Sequence, residues 1–140
     1  MKIPLLRLNY SKEEKKNIKK GLEEILSSGF LTMSKKVAQF EELFAEFIGV
    51  KFAVAVNSGT SALEIPLRAL KVKGKSVIIP TNTFMATPLA AIHAGAKVIF
   101  ADISSKNLSI EPKEIEKRIV ANTVGVIPVH IGGLSSPNWK

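Results

Sequence analysis

The segment Phe52-Ala-Val-Ala-Val-Asn-Ser-Gly-Thr-Ser-Ala-Leu63 constrains this chain more than any other stretch. An apolar run, Phe52 to Val56, ends in Asn-Ser-Gly-Thr-Ser, and a helix-compatible stretch, Ala62 to Leu70, follows at once. A buried strand that turns through glycine into a helix forms a socket for an anion. The first amides of a helix have no partner inside it and carry partial positive charge. Gly59 lets the backbone come close, and Thr60 and Ser61 add hydroxyl donors. A phosphate is the natural guest.

From Phe52 onward strand and helix patterns alternate. The strand candidates are Phe52–Val56, Ser76–Ile79, Lys97–Ala101 and Thr123–Val129, rich in Val and Ile with little polar alternation, as in strands buried on both faces. The helix candidates between them are Ala62–Leu70, Met85–Ala94, closed by Gly95, and Pro112–Val120, opened by a proline whose missing N–H costs nothing there. This order predicts an α/β fold, a mostly parallel sheet flanked by helices with right-handed crossovers. Ligands of such sheets bind beyond the carboxyl ends of the strands, here the loops 57–61, 80–84, 102–105 and 130–133. Pro66 falls within the helix behind the socket and predicts a short or bent helix.

Upstream, Ser11-Lys-Glu-Glu14 is a capping-box signature, with Ile18, Leu22, Ile25 and Leu26 on one helical face and Gly29 as the stop. A second helix fits Lys35 to Ile48, where Val37, Phe40, Phe44, Phe47 and Ile48 keep helical spacing and Gly49 ends the run. That aromatic stripe reads as core packing rather than a ligand box. The expected organisation is an N-terminal helical segment over 1–50 and an α/β domain over 51–140.

At 140 residues, 46% hydrophobic and 23% charged, the chain suits one modest globular domain. It has no cysteine, which removes disulfides and thiolate metal sites and fits a reducing cytoplasm. No pair of histidines or carboxylates has metal-ligand spacing, and no metal site is expected. The N-terminus lacks a signal-peptide pattern, and no apolar run is long enough to cross a membrane. A net charge of +8 raises the question of a polyanionic partner. The lysines are dispersed, however, and the densest group, Lys12, Lys15, Lys16, Lys19 and Lys20, is interleaved with Glu13, Glu14, Glu23 and Glu24 as on a solvated helix face. No nucleic-acid or membrane partner is expected.

The loop after the second strand candidate reads Pro80-Thr-Asn-Thr-Phe-Met-Ala-Thr87. A phenylalanine in that polar stretch, Phe84, either covers a flat heteroaromatic ligand or begins the next helix and packs inward. His130, ahead of Gly132-Gly133, is an acid–base or ligand-orienting candidate, or a capped structural residue. His93 reads as structural, and Asp102 as the cap of the following turn. The Walker lysine pattern and the G-x-G-x-x-G fingerprint are both missing, so the socket is unlike that of a nucleoside triphosphatase or a Rossmann dehydrogenase.

The chain resembles the N-terminal part of the DegT/DnrJ/EryC1/StrS family of sugar aminotransferases, which use pyridoxal 5'-phosphate (PLP) on the aspartate-aminotransferase fold. The resemblance is carried by Gly29-Phe-Leu-Thr-Met33 with Val37 and Phe40-Glu-Glu42, and by Ala53 to Leu63. It continues through Val77-Ile-Ile-Pro-Thr-Asn-Thr-Phe-Met-Ala-Thr87, Gly95-Ala-Lys-Val-Ile-Phe-Ala-Asp102 and Ile127-Pro-Val-His-Ile-Gly-Gly133, in order and at matching spacing. It implies that Gly59 and Thr60 hold the cofactor phosphate with Ser61 beside them, that Phe84 stacks on the pyridine ring, and that His130 lies near the site. It implies a partial PLP-transferase large domain, a nucleotide-linked keto sugar as substrate, glutamate as amino donor, a homodimer, and a place in amino-sugar or surface-polysaccharide biosynthesis.

Two positions depart from the family's pattern: Ser34 stands where glycine is usual, and Pro66 interrupts the helix behind the socket. A further difference bears on activity. The family's Schiff-base lysine, and the aspartate that pairs with the pyridine nitrogen, lie further along than these residues, and no lysine here matches the former. The resemblance therefore implies a fragment holding half of a cofactor site, with no catalytic residue of its own and no transamination alone. The competing reading is a non-catalytic, phosphate-binding regulatory or scaffold module. An incomplete parallel sheet should also leave a strand edge and an apolar face uncovered.

Overall fold

A computed structural model describes residues 7–135. The chain divides into two compact units, Met1–Ala55 and Val56–Lys140.

In the first unit, α1 spans Lys12–Ser28 and begins with the capping box the sequence encodes. The Glu14 amide donates to Ser11 Oγ at 3.1 Å, and the Ser11 amide donates to Glu14 Oε2 at 2.7 Å. These bonds to Ser11 hold the Glu14 carboxyl below its ordinary value. α2 spans Lys35–Ile48, the range its spacing predicts, and Gly49 ends it with φ of 76°, a left-handed conformation that glycine takes without strain. The aromatic stripe is laid out as expected, with the Phe40 and Phe44 ring centres 5.7 Å apart. It is not a packed core, since Phe47 is 84% exposed and Ala45 is the one buried residue of α2.

The strand expected at Phe52–Val56 is not formed. The segment keeps a strand's alternation, with Ala53 and Ala55 half-buried and Phe52 and Val54 exposed, but no ladder includes it. A strand exists only where a neighbour supplies backbone donors and acceptors. Here the Ala55 amide is taken by a side chain instead, donating to Glu41 Oε1 at 2.8 Å.

The second unit contains α3 (Gly59–Ala69), β1 (Ser76–Pro80), α4 (Ala86–His93), β2 (Lys97–Ala101), α5 (Pro112–Glu116) and β3 (Thr123–Val126). Among the described residues the sheet has three strands in the order β2-β1-β3, all parallel. β1 pairs with β2 from Ser76↔Lys97 through Pro80↔Ala101. All five residues of β1 are buried, and they serve two layers in alternation. Val77 and Ile79 join Leu67 of α3 and Ala90, Ala91 and Ala94 around α4. Ile78 joins Ala101, Ile110 and Ile115, the last on α5. Burial on both faces therefore belongs to the central strand, whereas Phe100 of β2 and Val124 of β3 are about half exposed at the sheet edges.

Two helix boundaries and one proline refine the expectations. α3 starts at Gly59 rather than Ala62, because Ser58 caps it: the Ser61 amide donates to Ser58 Oγ at 3.1 Å. Pro66 deprives the Ala62 carbonyl of its usual donor, yet α3 continues to Ala69. α5 ends at Glu116, where the Arg118 amide bonds the Ile115 carbonyl at 2.8 Å and tightens the turn.

A polar clamp joins α3 to α4. Arg68 in the last turn of α3 donates from Nε to Glu64 Oε1 at 2.7 Å and from Nη2 to the carbonyl of His93, the last residue of α4, at 2.6 Å. His93 Nδ1 lies 3.4 Å from Glu64 Oε2. The carboxyl ends of the two packed helices thus lie together, so they run parallel and their amino ends share the opposite end of the layer.

Arg68's hydrogen bond holds the Glu64 carboxyl below its ordinary value of 4.5; burial opposes it, and the Arg68 charge and then His93 add to the lowering. A lowered folded value means stability that is complete above pH 4.5 and is lost as pH falls through the folded value. Urea unfolding of the protein and of Glu64→Gln from pH 7 to pH 3 should show a stability gap that is constant above about pH 5 and narrows below it. Gly95 closes α4 with φ of 82°, and a Cβ there would stand 3.0 Å from Lys73 Cγ. Gly95→Ala should cost about 1–2 kcal/mol in the same assay through the left-handed backbone, and a loss below about 0.3 kcal/mol would refute this.

Candidate functional site

The amino end of α3 is built by the chain that precedes it. Ser58 is extended, with φ of −159° and ψ of 156°, and its carbonyl accepts the first intrahelical bond, from the Ala62 amide at 3.0 Å. The amides of Gly59 and Thr60 precede that bond and have no partner within the helix. They are the donors available to an anion, and the helix dipole adds to their pull.

Gly59 has no positive φ, and a Cβ added to it would meet nothing within 4 Å. The fold alone does not require glycine at this position. Glycine leaves the backbone here uncovered, which suits a ligand that approaches it closely.

Ser61 is tied into the loop ahead of the helix. Its hydroxyl donates to Asn57 Oδ1 at 2.8 Å and lies 3.0 Å from Ser58 Oγ. This triad ties the loop before the helix to its first turn. Asn57 and Ser58 are thus part of the socket's scaffold. The signal in the sequence was the polar run Asn57-Ser58 ahead of Gly59, a helix-capping composition.

The loop after β1 carries Phe84. This ring is 81% exposed, so it does not pack inward as the first residue of a core-facing helix. The turn beneath it is ordered: the Thr87 amide donates to the Phe84 carbonyl at 3.0 Å, and the hydroxyls of Thr83 and Thr87 lie 2.8 Å apart. Because α3 and α4 run parallel, Gly59-Thr60 and the Phe84 turn stand at the same end of their layer. That end is the carboxyl edge of the sheet, since the Phe84 loop leaves β1 there.

The neighbouring loop, after β2, belongs to the opposite layer, because it leads to α5. The connections from β1 and β2 therefore lead to opposite layers, while the loops themselves touch, with Asn82 Nδ2 donating to the Leu108 carbonyl at 3.4 Å. Asp102 caps the turn there, accepting from the Ile103 amide at 2.8 Å. His130 is exposed beyond β3 and precedes a 3-10 turn, Ile131–Gly133; its carbonyl accepts from the Gly133 amide at 3.1 Å. His93 lies in the α3–α4 clamp, away from this edge. Among the described residues no group of three or more His, Cys, Asp or Glu is placed to hold a metal ion, and no helix is long and apolar enough to cross a membrane.

A family model, the DegT/DnrJ/EryC1/StrS aminotransferase family, matches residues 12–138. Spore coat polysaccharide biosynthesis protein SpsC of Bacillus subtilis (strain 168) is 46% identical over 113 residues, covering 80% of this chain and 29% of its own length. A UDP-4-amino-4,6-dideoxy-N-acetyl-beta-L-altrosamine transaminase of Campylobacter jejuni (serotype O:23/36) is 46% identical over 111 residues, 78% of this chain and 29% of its own. The crystal structure of ntda from Bacillus subtilis with bound cofactor pmp matches with a TM-score of 0.81 at 34% identity, covering 86% of this chain and 28% of that one. The chain spans less than a third of the length of these relatives.

Gly59→Val separates a ligand-binding role from a structural one. With open space at Cβ and an unstrained backbone, the variant should keep its stability within about 0.5 kcal/mol. It should lose inorganic-phosphate and phosphate-ester binding at least tenfold, read by isothermal titration. A large loss of stability with intact phosphate binding would reverse the assignment.

Proposed function

The chain belongs to the DegT/DnrJ/EryC1/StrS aminotransferase family, and from this premise we propose that it forms the phosphate-holding and ring-facing part of a PLP site in a sugar aminotransferase. The observation that carries the reading is the pairing, at one end of one layer, of two uncommitted helix amides with an exposed phenylalanine. A phosphate dianion and a flat aromatic ring joined in one small molecule match that pair.

In this reading the Gly59 and Thr60 amides bind the phosphate, and the Thr60 hydroxyl adds a donor. Ser61 lies beside them and, with Asn57 and Ser58, holds the loop so that the amides stay aimed. Phe84 covers one face of the ring, excludes water there and fixes the ring plane, adding about 0.5–1.5 kcal/mol beyond area burial. His130 approaches from the loop past β3. PLP, when bound, supplies the electron-withdrawing ring that amino-group transfer requires. By the same resemblance the lysine that holds the cofactor covalently lies further along than these residues, so retention here rests on phosphate binding and stacking.

The substrate we propose for the whole protein is a nucleotide-linked keto sugar, aminated at the expense of glutamate by a cytoplasmic homodimer. The sugar class is supported by the Campylobacter relative's transaminase name and by the polysaccharide role in the name of SpsC. We also propose that 1–50 and 51–140 act as an N-terminal helical segment and part of the cofactor domain.

Titrating PLP into the protein should give saturable binding that inorganic phosphate displaces. Coupled assay of 2-oxoglutarate from L-glutamate in the presence of a UDP-linked keto sugar then reports amination. Absence of binding to both PLP and phosphate would overturn the site. Binding by the whole protein without 2-oxoglutarate formation would favour the non-catalytic phosphate-binding module instead.

A further inference from the structure

We propose that Thr87 is a positioning residue that acts through Thr83 to fix the turn presenting Phe84 to the cofactor ring. The inference rests on the reading of Phe84 as ring-facing. Phe84 is 81% exposed, so surrounding side chains do little to fix its direction. What remains to aim it is its own backbone, and that backbone is held from the helix side. Thr87 is 6% exposed, its amide donates to the Phe84 carbonyl at 3.0 Å, and its Oγ1 lies 2.8 Å from Thr83 Oγ1. The hydroxyl pair spans residues 83 to 87, so it brackets Phe84 and closes the turn on both sides of the ring's Cα. Threonine is suited to this because its β-branch restricts χ1, which keeps the hydroxyl where the partner needs it. Removing the Thr87 hydroxyl leaves Thr83 Oγ1 with only its long contact to the Phe84 carbonyl, 3.5 Å.

The test compares PLP and inorganic phosphate affinities, by titration calorimetry, across Thr87→Val, Thr87→Ser, Phe84→Leu and the Thr87→Val/Phe84→Leu double variant. Valine keeps the shape and removes the hydroxyl. Thr87→Val should weaken PLP by roughly three- to tenfold, the range expected for one hydrogen bond, and leave phosphate affinity unchanged. Thr87→Ser should restore PLP affinity. In the Phe84→Leu background, Thr87→Val should add nothing measurable, because the residue acts through the ring. Equal weakening by Thr87→Val with and without the ring, or parallel weakening of phosphate, would show a merely structural role and overturn the proposal. If Phe84→Leu weakens PLP while Thr87→Val does not, this inference fails and the ring-facing reading stands. If Phe84→Leu leaves PLP affinity intact, the ring-facing reading itself falls. Should Thr87→Val fail to fold, Thr83→Val removes the same bond from its less buried side and carries the same cycle.

Discussion

Everything in the second unit is organised by the burial of β1 on both faces. Five consecutive residues, Ser76 to Pro80, are out of solvent, so their backbone groups must find partners in flanking strands. β2 and β3 supply them, one on each side. The ladder to β2 ends at Pro80, which has no amide to give; the next amide, that of Thr81, donates to the Ala101 carbonyl at 3.0 Å. From that point the chain is released from the sheet, and the released residues are the loop that carries Phe84.

The two layers then decide where the loops go. Val77 and Ile79 draw α3 and α4 to one face, while Ile78 draws the α5 layer to the other. Helices that share one apolar cluster need their polar ends settled as well, and the Glu64–Arg68–His93 clamp does this at the carboxyl ends. The clamp is exposed and contributes little energy. Its consequence is geometric, since parallel helices bring the α3 amino end to the same edge as the loop from β1. The proposed socket and the exposed ring share an end of their layer because of how the far ends of their helices are joined.

Much of this was legible in the sequence, for local reasons. α2 and β2 have the spans their patterns predict, because glycines and turn residues bound them on both sides. The capping box of α1 needs only four residues to specify itself. The misread segments depend on something non-local. Phe52–Val56 has strand composition but no neighbour to pair with, and composition cannot supply one. The start of α3 turned on Ser58, whose capping oxygen extends the helix three residues ahead of its apolar pattern. Phe84 was open on its residues alone, since the same residue serves packing or stacking, and the resemblance favoured stacking; in the structure the ring is 81% exposed. The Ser61 hydroxyl was read as a donor to the anion on type alone, and the structure adds its bond to Asn57, four residues back. The Thr83–Thr87 pair has helical i, i+4 spacing and could have been found by asking which groups hold the loop rather than which face a ligand.

Two residues at this edge are costly choices for the fold alone. Glycine in a helix is worth about 0.5–1 kcal/mol less than alanine, and at Gly59 the structure gives a methyl group open space. A phenylalanine left in water forgoes about 1.5–3 kcal/mol of burial, and Phe84 is among the most exposed large apolar residues of its unit. Neither cost is unusual alone, since Phe47 is 84% exposed and Gly21 also has open space at Cβ within a helix; what distinguishes these two is that the proposed ligand would use both. The two exceptions share a cause if one ligand needs both, a bare backbone for its anionic end and a flat apolar face for its ring. A fold that merely tolerated a phosphate would need the first and have no use for the second.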